Sequence, residues 1–535
     1  MRSDPRRSDE RAAIRDRRDR EIVLTEACQT ASFALAYPSP YRAGMSSLGF
    51  QSLYRQLNQA GVGTHRVFLP DAWEALALPW PQAKQAIVSY EAERPLSSYP
   101  RIGISIAYEL EICGVIRLLE GAGIPVLSTR RGPRDPIIIG GGPLTFSNPN
   151  VALPFVDLLI MGEAEERLPQ VLAILEATAE RRAAIEAAGR LENVIVGEID
   201  EGRFEPLPLP ARAPKALLPA YSAILSPDTE LANMFLVEPE RGCSRRCSFC
   251  VMRGGNAAGG MRIFSKDGLL SVLPAEAKRV GLVGAAVTDL PHLEDLVSDI
   301  VDSGRGVAIS SLRADRLTPR FLYDLKRGGY RTITVASDGI SERMRLALDR
   351  RVSEEDLVGA ATAIHEAGFY KMKVYQMIGA PGESEADVDE LIRFALELSK
   401  IQRLTLTFST FVAKRNTPLD GQPFLGVKAA EKRLQKIRRG LRGKVEIRPQ
   451  SPRWAYIEYV LAQWGPEAGH AALQAVHAGG RYADWIRAFK ETPHTPRPLR
   501  YGDEETRARR RGKAIQPRLP ILGELDLDDR PPLPR

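Results

Sequence analysis

Twice along this chain, short continuous apolar runs alternate with stretches of helical period. In the first stretch the runs fall at 33–39, 65–71, 101–108, 136–142 and 156–162, with helices expected over 45–60, 109–123 and 163–180. In the second they fall at 234–240, 281–287, 306–313, 331–337, 370–379 and 403–413, again separated by helical segments. Strands that are apolar end to end belong to parallel sheets covered on both faces, and strict alternation with helices builds an α/β fold. The first stretch therefore predicts a doubly wound, Rossmann-like parallel sheet over 31–180. The second predicts a partial parallel barrel of six βα units over 231–413. In both designs ligands bind at the carboxyl ends of the strands. The intervening 181–230 predicts a small hairpin and a Pro-rich linker. Residues 414–490 predict a small, mainly helical region carrying Trp454, Tyr456, Tyr459, Trp464, Tyr482 and Trp485. Core packing is the plain reading of these aromatics, and a lid over a substrate is the alternative.

Five cysteines in 535 residues are few, and three of them, Cys243, Cys247 and Cys250, lie within eight residues just after the first strand of the second stretch. Sparse, clustered, odd-numbered cysteines argue against a disulfide framework and for a metal site in a reducing cytoplasm. Structural zinc would want a fourth Cys or His, and the next histidine, His292, lies beyond a further strand and helix. A four-iron cube suits the spacing better: thiolate is its preferred ligand, and three cysteines leave one iron open.

The segment CSRRCSFC, with Phe249 before the last cysteine, resembles the radical S-adenosylmethionine (SAM) superfamily. The resemblance implies a 4Fe-4S cluster on Cys243, Cys247 and Cys250, with SAM chelating the open iron and cleaved to a 5′-deoxyadenosyl radical. It also implies SAM contacts. Phe249 would lie near the adenine, and Gly379, Ala380, Pro381 and Gly382 in YQMIGAPGE would form the turn that holds it. Ser311, Arg313 and Ser337, at the ends of the third and fourth strands, would reach the ribose or carboxylate. The family's Gly-Gly-Glu after the second strand is replaced by GAAVTD (284–289), where Thr288 or Asp289 stands in for the amino-group contact.

GGGPLTFSNPNVALPFVDLLIMGEAEERLPQVL (140–172) and SPYRAGMSSLG (39–49) resemble the cobalamin-binding domain of class B radical SAM proteins. The resemblance implies cobalamin near Met45, Ser46, Leu48, Gly49, Gly140, Gly141, Gly142, Thr145, Gly162 and Glu163. The Asp-x-His-x-x-Gly motif that supplies a cobalt ligand is missing. A Rossmann-like domain that binds no cobalamin is the alternative.

The formal net charge of +7 sits mostly in the ends. Residues 1–20 carry eight Arg against five acids, and 492–535 carry ten Lys/Arg against seven acids, leaving about +1 between them. Both ends, 1–30 and 491–535, are poor in large apolar residues and are expected to be disordered. A near-neutral core favours a small-molecule or peptide substrate over RNA. No apolar run is long enough to span a membrane. Only Cys28 and Cys113 remain outside the triad, too few for a second cluster. The expected function is a radical SAM enzyme fed electrons by an external donor such as flavodoxin or ferredoxin. Cobalamin-dependent methylation of an unactivated carbon is the leading reaction. Rearrangement or cyclisation without cobalamin, and a non-catalytic cluster-bearing sensor, are the alternatives.

Overall fold

The computed structural model describes residues 5–71, 87–197, 207–253 and 260–494, with side chains from residue 10 on. The chain divides into two compact units. Among the described residues, the first contains those up to Glu238, together with Ser271–Arg279 and those from Trp464 to His494; the second contains Pro239–Leu270 and Val280–Gln463. No helix among the described residues is long and apolar enough to cross a membrane.

The core of the first unit is a six-stranded sheet. Its strands are β1 (Phe33–Pro40), β2 (Thr64–Leu69), β3 (Arg101–Ser105), β4 (Ile137–Gly141), β5 (Leu158–Ile160) and β6 (Val194–Val196), in the order β2-β1-β3-β4-β5-β6. All neighbours are parallel except β5 and β6. Nearly every residue of β1, β2 and β4 is buried, as a sheet covered on both faces requires. The chain steps outward from β1 to β2 and then crosses back past β1 to β3, so the switch point where such sheets bind ligands lies between the carboxyl ends of β1 and β3.

Three domain expectations need correction. The 181–230 segment is not a hairpin and linker outside the domain. Helix Arg181–Gly189 packs beside Arg167–Ala177, and β6 closes the sheet as its antiparallel edge. The far side of the expected hairpin lies partly outside the described residues. Second, the N-terminal segment is structured from Pro5 on. Pro5–Asp19 is a helix, Ile14 is buried, and Ile22–Val23 pairs antiparallel with Ile224–Leu225. Arg66, on β2, is fully buried and holds Glu21 through two N–H···O bonds of 2.7 and 2.8 Å, and Glu91 at 2.6 Å. A buried guanidinium needs such carboxylates, and one comes from the segment expected to be disordered. Third, the 414–490 region is split. Helices Glu467–His477 and Tyr482–Glu491 belong to the first unit, where Gly469 lies so near Val151 that a Cβ would stand 2.6 Å from its carbonyl oxygen. Trp464 and Trp485 are core residues there, and Tyr459 is buried in the second unit. The expected tail at 491–535 lies, from 495 on, outside the described residues.

In the second unit β8 (Arg279–Leu282) lies beside β9 (Gly306–Ile309), after β7 (Phe235–Val237), which closes the first unit's long N-terminal segment. β10 (Thr332–Gly339), β11 (Lys371–Ile378), β12 (Leu404–Thr410) and β13 (Glu446–Pro449) follow as a parallel four-stranded set. An isolated parallel bridge pairs Leu312, just after β9, with Val335 of β10. Along β10 and β11, residues on one face are buried under helices while their neighbours are half-buried or exposed on the other. β13 was not expected, because the sequence EIRP carries no apolar run.

Candidate functional site

The cysteine loop begins with a short antiparallel pair, Glu240–Arg241 with Arg262–Ile263. Gly242, at φ 90°, makes a turn in which a Cβ would stand 2.4 Å from the carbonyl oxygen of Gly260, so the turn needs glycine. Cys243 and Cys247 are buried and Cys250 is half-buried. The backbone N–H of Arg245 donates to Cys243 Sγ at 3.3 Å, and that of Cys250 donates to the Cys247 carbonyl at 3.3 Å. Burial pushes all three thiols up, Cys250 to about 11, and the Cys247 charge is felt at both Cys243 and Cys250. Loading a metal centre here must therefore expel protons. Among the described residues no three His, Cys, Asp or Glu stand as the ligands of one metal ion. A cube takes one thiolate on each of three irons, which spreads its ligands apart.

Residues around the loop carry charge in pairs. Arg245 makes a two-pronged bond to Asp289 at 2.6 and 2.7 Å. Arg313 lies 3.6 Å from the same carboxylate and bonds Asp315 at 2.5 Å. Arg313 is buried, and while its Nε faces Asp289 and its Nη2 bonds Asp315, its Nη1 has no hydrogen-bond partner among the described residues. Buried guanidinium N–H groups left this way are donors for an anion, which fits the carboxylate of SAM. Asp289 is thus engaged by arginines, which does not suit the amino-group role expected of it. A different carboxylate stands by the GAAVTD segment: buried Glu240, whose Oε1 accepts from the Ala286 N–H at 2.6 Å. Gly284 makes room for it, because a Cβ there would meet that oxygen at 2.2 Å. The sequence signal for Glu240 was its place three residues before Cys243.

The remaining SAM candidates are placed as follows. Phe249 and Ser311 are half-buried. Ser337 is fully buried at a β-bulge and bonds the Gly339 carbonyl at 3.3 Å. Gly379 and Gly382 have φ near 80°, and the Gly379 N–H donates to Glu383 at 2.9 Å, which fixes the turn after β11. Ala380 is buried and Pro381 half-buried. At Gly379 a Cβ would already press on Leu425 at 3.0 Å, so a bulky residue there disturbs packing before it reaches any ligand.

In the first unit the expected cobalamin residues are largely used by the chain itself. Met45, Leu48, Gly140, Thr145 and Glu163 are buried. A Cβ at Gly140 would meet Leu159 and Val156, and one at Gly142 the backbone of Ile106 at 2.7 Å. Thr145 Oγ1 donates to the Gly142 carbonyl at 2.7 Å and accepts from the Gly162 N–H at 3.0 Å. Gly162, at φ 84°, bridges Ala211, and Glu163 accepts from the Ala213 N–H at 2.7 Å. The Pro-rich segment thus fills the loop that the resemblance assigns to a corrin. Ser46 is tied to the Arg42 carbonyl and the Glu230 N–H. Gly49, Gly141 and Gly142 keep some exposure, with Gly49 out on helix Leu48–Gln59. The polar groups of these residues and the space beside Gly140, Gly142 and Gly162 are taken up by the chain itself, the glycines serving close backbone packing.

At the switch point stands Glu111 instead, buried, accepting from the Ala107 N–H at 2.6 Å and Ser39 Oγ at 3.5 Å. Burial pushes its carboxyl up to about 7. Folded Glu111 holds its proton where the unfolded chain has lost it. Its contribution to stability is therefore full below the ordinary carboxylate range and disappears as pH rises toward about 7. The expected loss is roughly 3 kcal/mol. Denaturant titrations at about pH 5 and about pH 8 should show it in the wild type and not in Glu111→Gln.

The profile described as radical SAM proteins, N-terminal, matches residues 49–196, and the radical SAM superfamily profile matches 237–395, across the cysteine loop. The chain belongs to the radical SAM superfamily. An uncharacterised protein of Methanocaldococcus jannaschii is 25% identical to this radical SAM protein over 423 residues, 75% of this chain and 83% of that one. Among solved structures, the cobalamin-dependent SAM radical enzyme OxsB with aqua-cobalamin bound matches with a TM-score of 0.47 and 12% identity. That match covers 70% of this chain and 53% of OxsB, so the chain spans about half its length. Coproporphyrinogen III oxidase from Escherichia coli, a radical SAM enzyme, matches with a TM-score of 0.29 and 14% identity over 39% of this chain and 51% of that one.

Proposed function

We propose that this radical SAM enzyme holds a 4Fe-4S cluster on Cys243, Cys247 and Cys250 and uses SAM to abstract hydrogen from a small-molecule or peptide substrate. The observation that carries this is the three-thiol loop beside buried Arg313, whose Nη1, without a hydrogen-bond partner among the described residues, suits the SAM carboxylate. When bound, the cluster supplies one electron that splits SAM into methionine and a 5′-deoxyadenosyl radical. The chain's own residues bind, orient and exclude water. Arg245 and Asp289 brace the loop, Gly379–Gly382 offers a turn for the adenine, and Arg313 anchors the carboxylate.

Methylation of an unactivated carbon with cobalamin is the narrower reading, and it rests on the sequence resemblance of 140–172. Because the loops concerned are filled by the chain itself, no step is derived through cobalamin. Rearrangement, cyclisation or cleavage by the substrate radical needs no corrin and is the reading taken forward. Product analysis under anaerobic turnover separates the two. The expected result is 5′-deoxyadenosine without S-adenosylhomocysteine. Formation of both in about equal amounts, with stoichiometric corrin in the purified full chain, would establish methyl transfer instead.

A further inference from the structure

Seven described non-glycine residues have positive φ, and three of them crowd one patch against the cysteine loop: Asp338 (66°), Asp349 (55°) and Arg351 (48°). L-residues adopt this conformation only where the surroundings impose it, and such strain gathers at functional sites. Asp338 is the last residue but one of β10, directly after the bulge that displaces Ser337 from the pairing with β11. The two strained residues at 349 and 351 flank Arg350.

What the strain achieves is the placement of Arg350. Its Nε lies 2.6 Å from Asp338 Oδ2, and its Nη2 donates to the Ala336 carbonyl at 3.0 Å. Both side chains are mostly buried. The same segment grips the cysteine loop, because the Ser248 N–H donates to the Leu348 carbonyl at 3.0 Å. Through that contact the pair stands close enough to the loop for its charges to be felt there: Arg350 favours the Cys247 thiolate, and Asp338 opposes the charged form of Cys247 and Cys250. Neither residue was singled out from the sequence, since LDRRVS has no pattern beyond a helix end.

A cluster's reduction potential depends on hydrogen bonds to its sulfurs and on nearby charge. A guanidinium at a ligating sulfur stabilises the added electron, and a carboxylate opposes it. We propose that the Asp338–Arg350 pair is a positioning element that sets the potential of the cluster, Arg350 favouring the reduced state and Asp338 restraining it. One electron enters from an external donor protein of the flavodoxin or ferredoxin type and takes the cluster from the 2+ to the 1+ state. This inference rests on the cluster assignment proposed above.

The test is a redox titration followed by electron paramagnetic resonance, without SAM, on anaerobically reconstituted full chains, with iron and sulfide counted. For R350Q the reduced-to-oxidised ratio at fixed potential is expected to fall about tenfold, equivalent to about 59 mV for one electron. R350K should retain most of the wild-type potential, and D338N should shift it in the opposite direction to R350Q. A wild-type chain that assembles no four-iron cluster would remove the proposed function itself. Clusters that assemble normally in every variant with unchanged potentials would overturn only this inference. Shifts of the same sign in R350Q and D338N, or loss of the cluster from both, would assign the pair a structural role and also overturn it. If R350Q alone fails to load, the R350K and D338N potentials decide by the same criteria.

Discussion

Replacing Cys243, Cys247 or Cys250 with alanine is expected to remove the cluster and with it all SAM cleavage. Each thiolate holds a different corner of the cube, so two cannot do the work of three. Without the cluster no electron reaches SAM, and the rate returns to the uncatalysed level, a loss of about 10⁶-fold or more. The thiols are buried or half-buried in a loop pinned by Gly242 and by the Ser248–Leu348 bond, so each alanine removes little packing. The fold should therefore persist, which circular dichroism checks while iron analysis reports the loss. Cys28→Ala and Cys113→Ala are the controls. Cys113 is buried in helix Ile112–Gly121, where burial pushes its thiol up to about 11, so it behaves as an apolar packing group. Both controls should keep full iron content. A wild-type preparation with stoichiometric zinc and no iron would overturn the assignment.

Deleting residues 1–24 is expected to destabilise the first unit severely, although the composition of that segment suggests it is dispensable. The deletion takes away Glu21, whose carboxylate faces the buried Arg66 guanidinium and accepts from Tyr41 Oη at 2.5 Å. It also removes the strand Ile22–Val23 and the burial of Ile14. Glu91 alone is then left to balance Arg66 inside the protein. Removing one member of a buried ion pair costs about 3–5 kcal/mol, equivalent to a fall in melting temperature on the order of 10 °C. Glu21→Gln should reproduce most of the effect without shortening the chain. Unchanged melting in both variants would show that Arg66 is satisfied without Glu21.

The sequence by itself determined the βα alternation and the chemistry of the cysteine loop. Continuous apolar strands can be buried only in a parallel sheet covered on both faces, and thiols at a fixed local spacing keep it in any fold. Local signals of this kind need no knowledge of distant residues. Contacts between distant residues were decided by tertiary structure alone. Glu21 is paired because Arg66 is buried, and Arg66 lies 45 residues away. Trp464 and the two helices after it join the first unit because Asn148 donates to the Trp464 carbonyl, a contact 316 residues apart. The glycines at 140–142 and 162 show the same limit. Their sequence spacing resembles a cofactor loop, and only the fold shows that Ile106, Val156 and Ala211 occupy the space beside them. A glycine in a sequence reports that something comes close, whereas packing decides whether that neighbour is a ligand or the protein's own backbone.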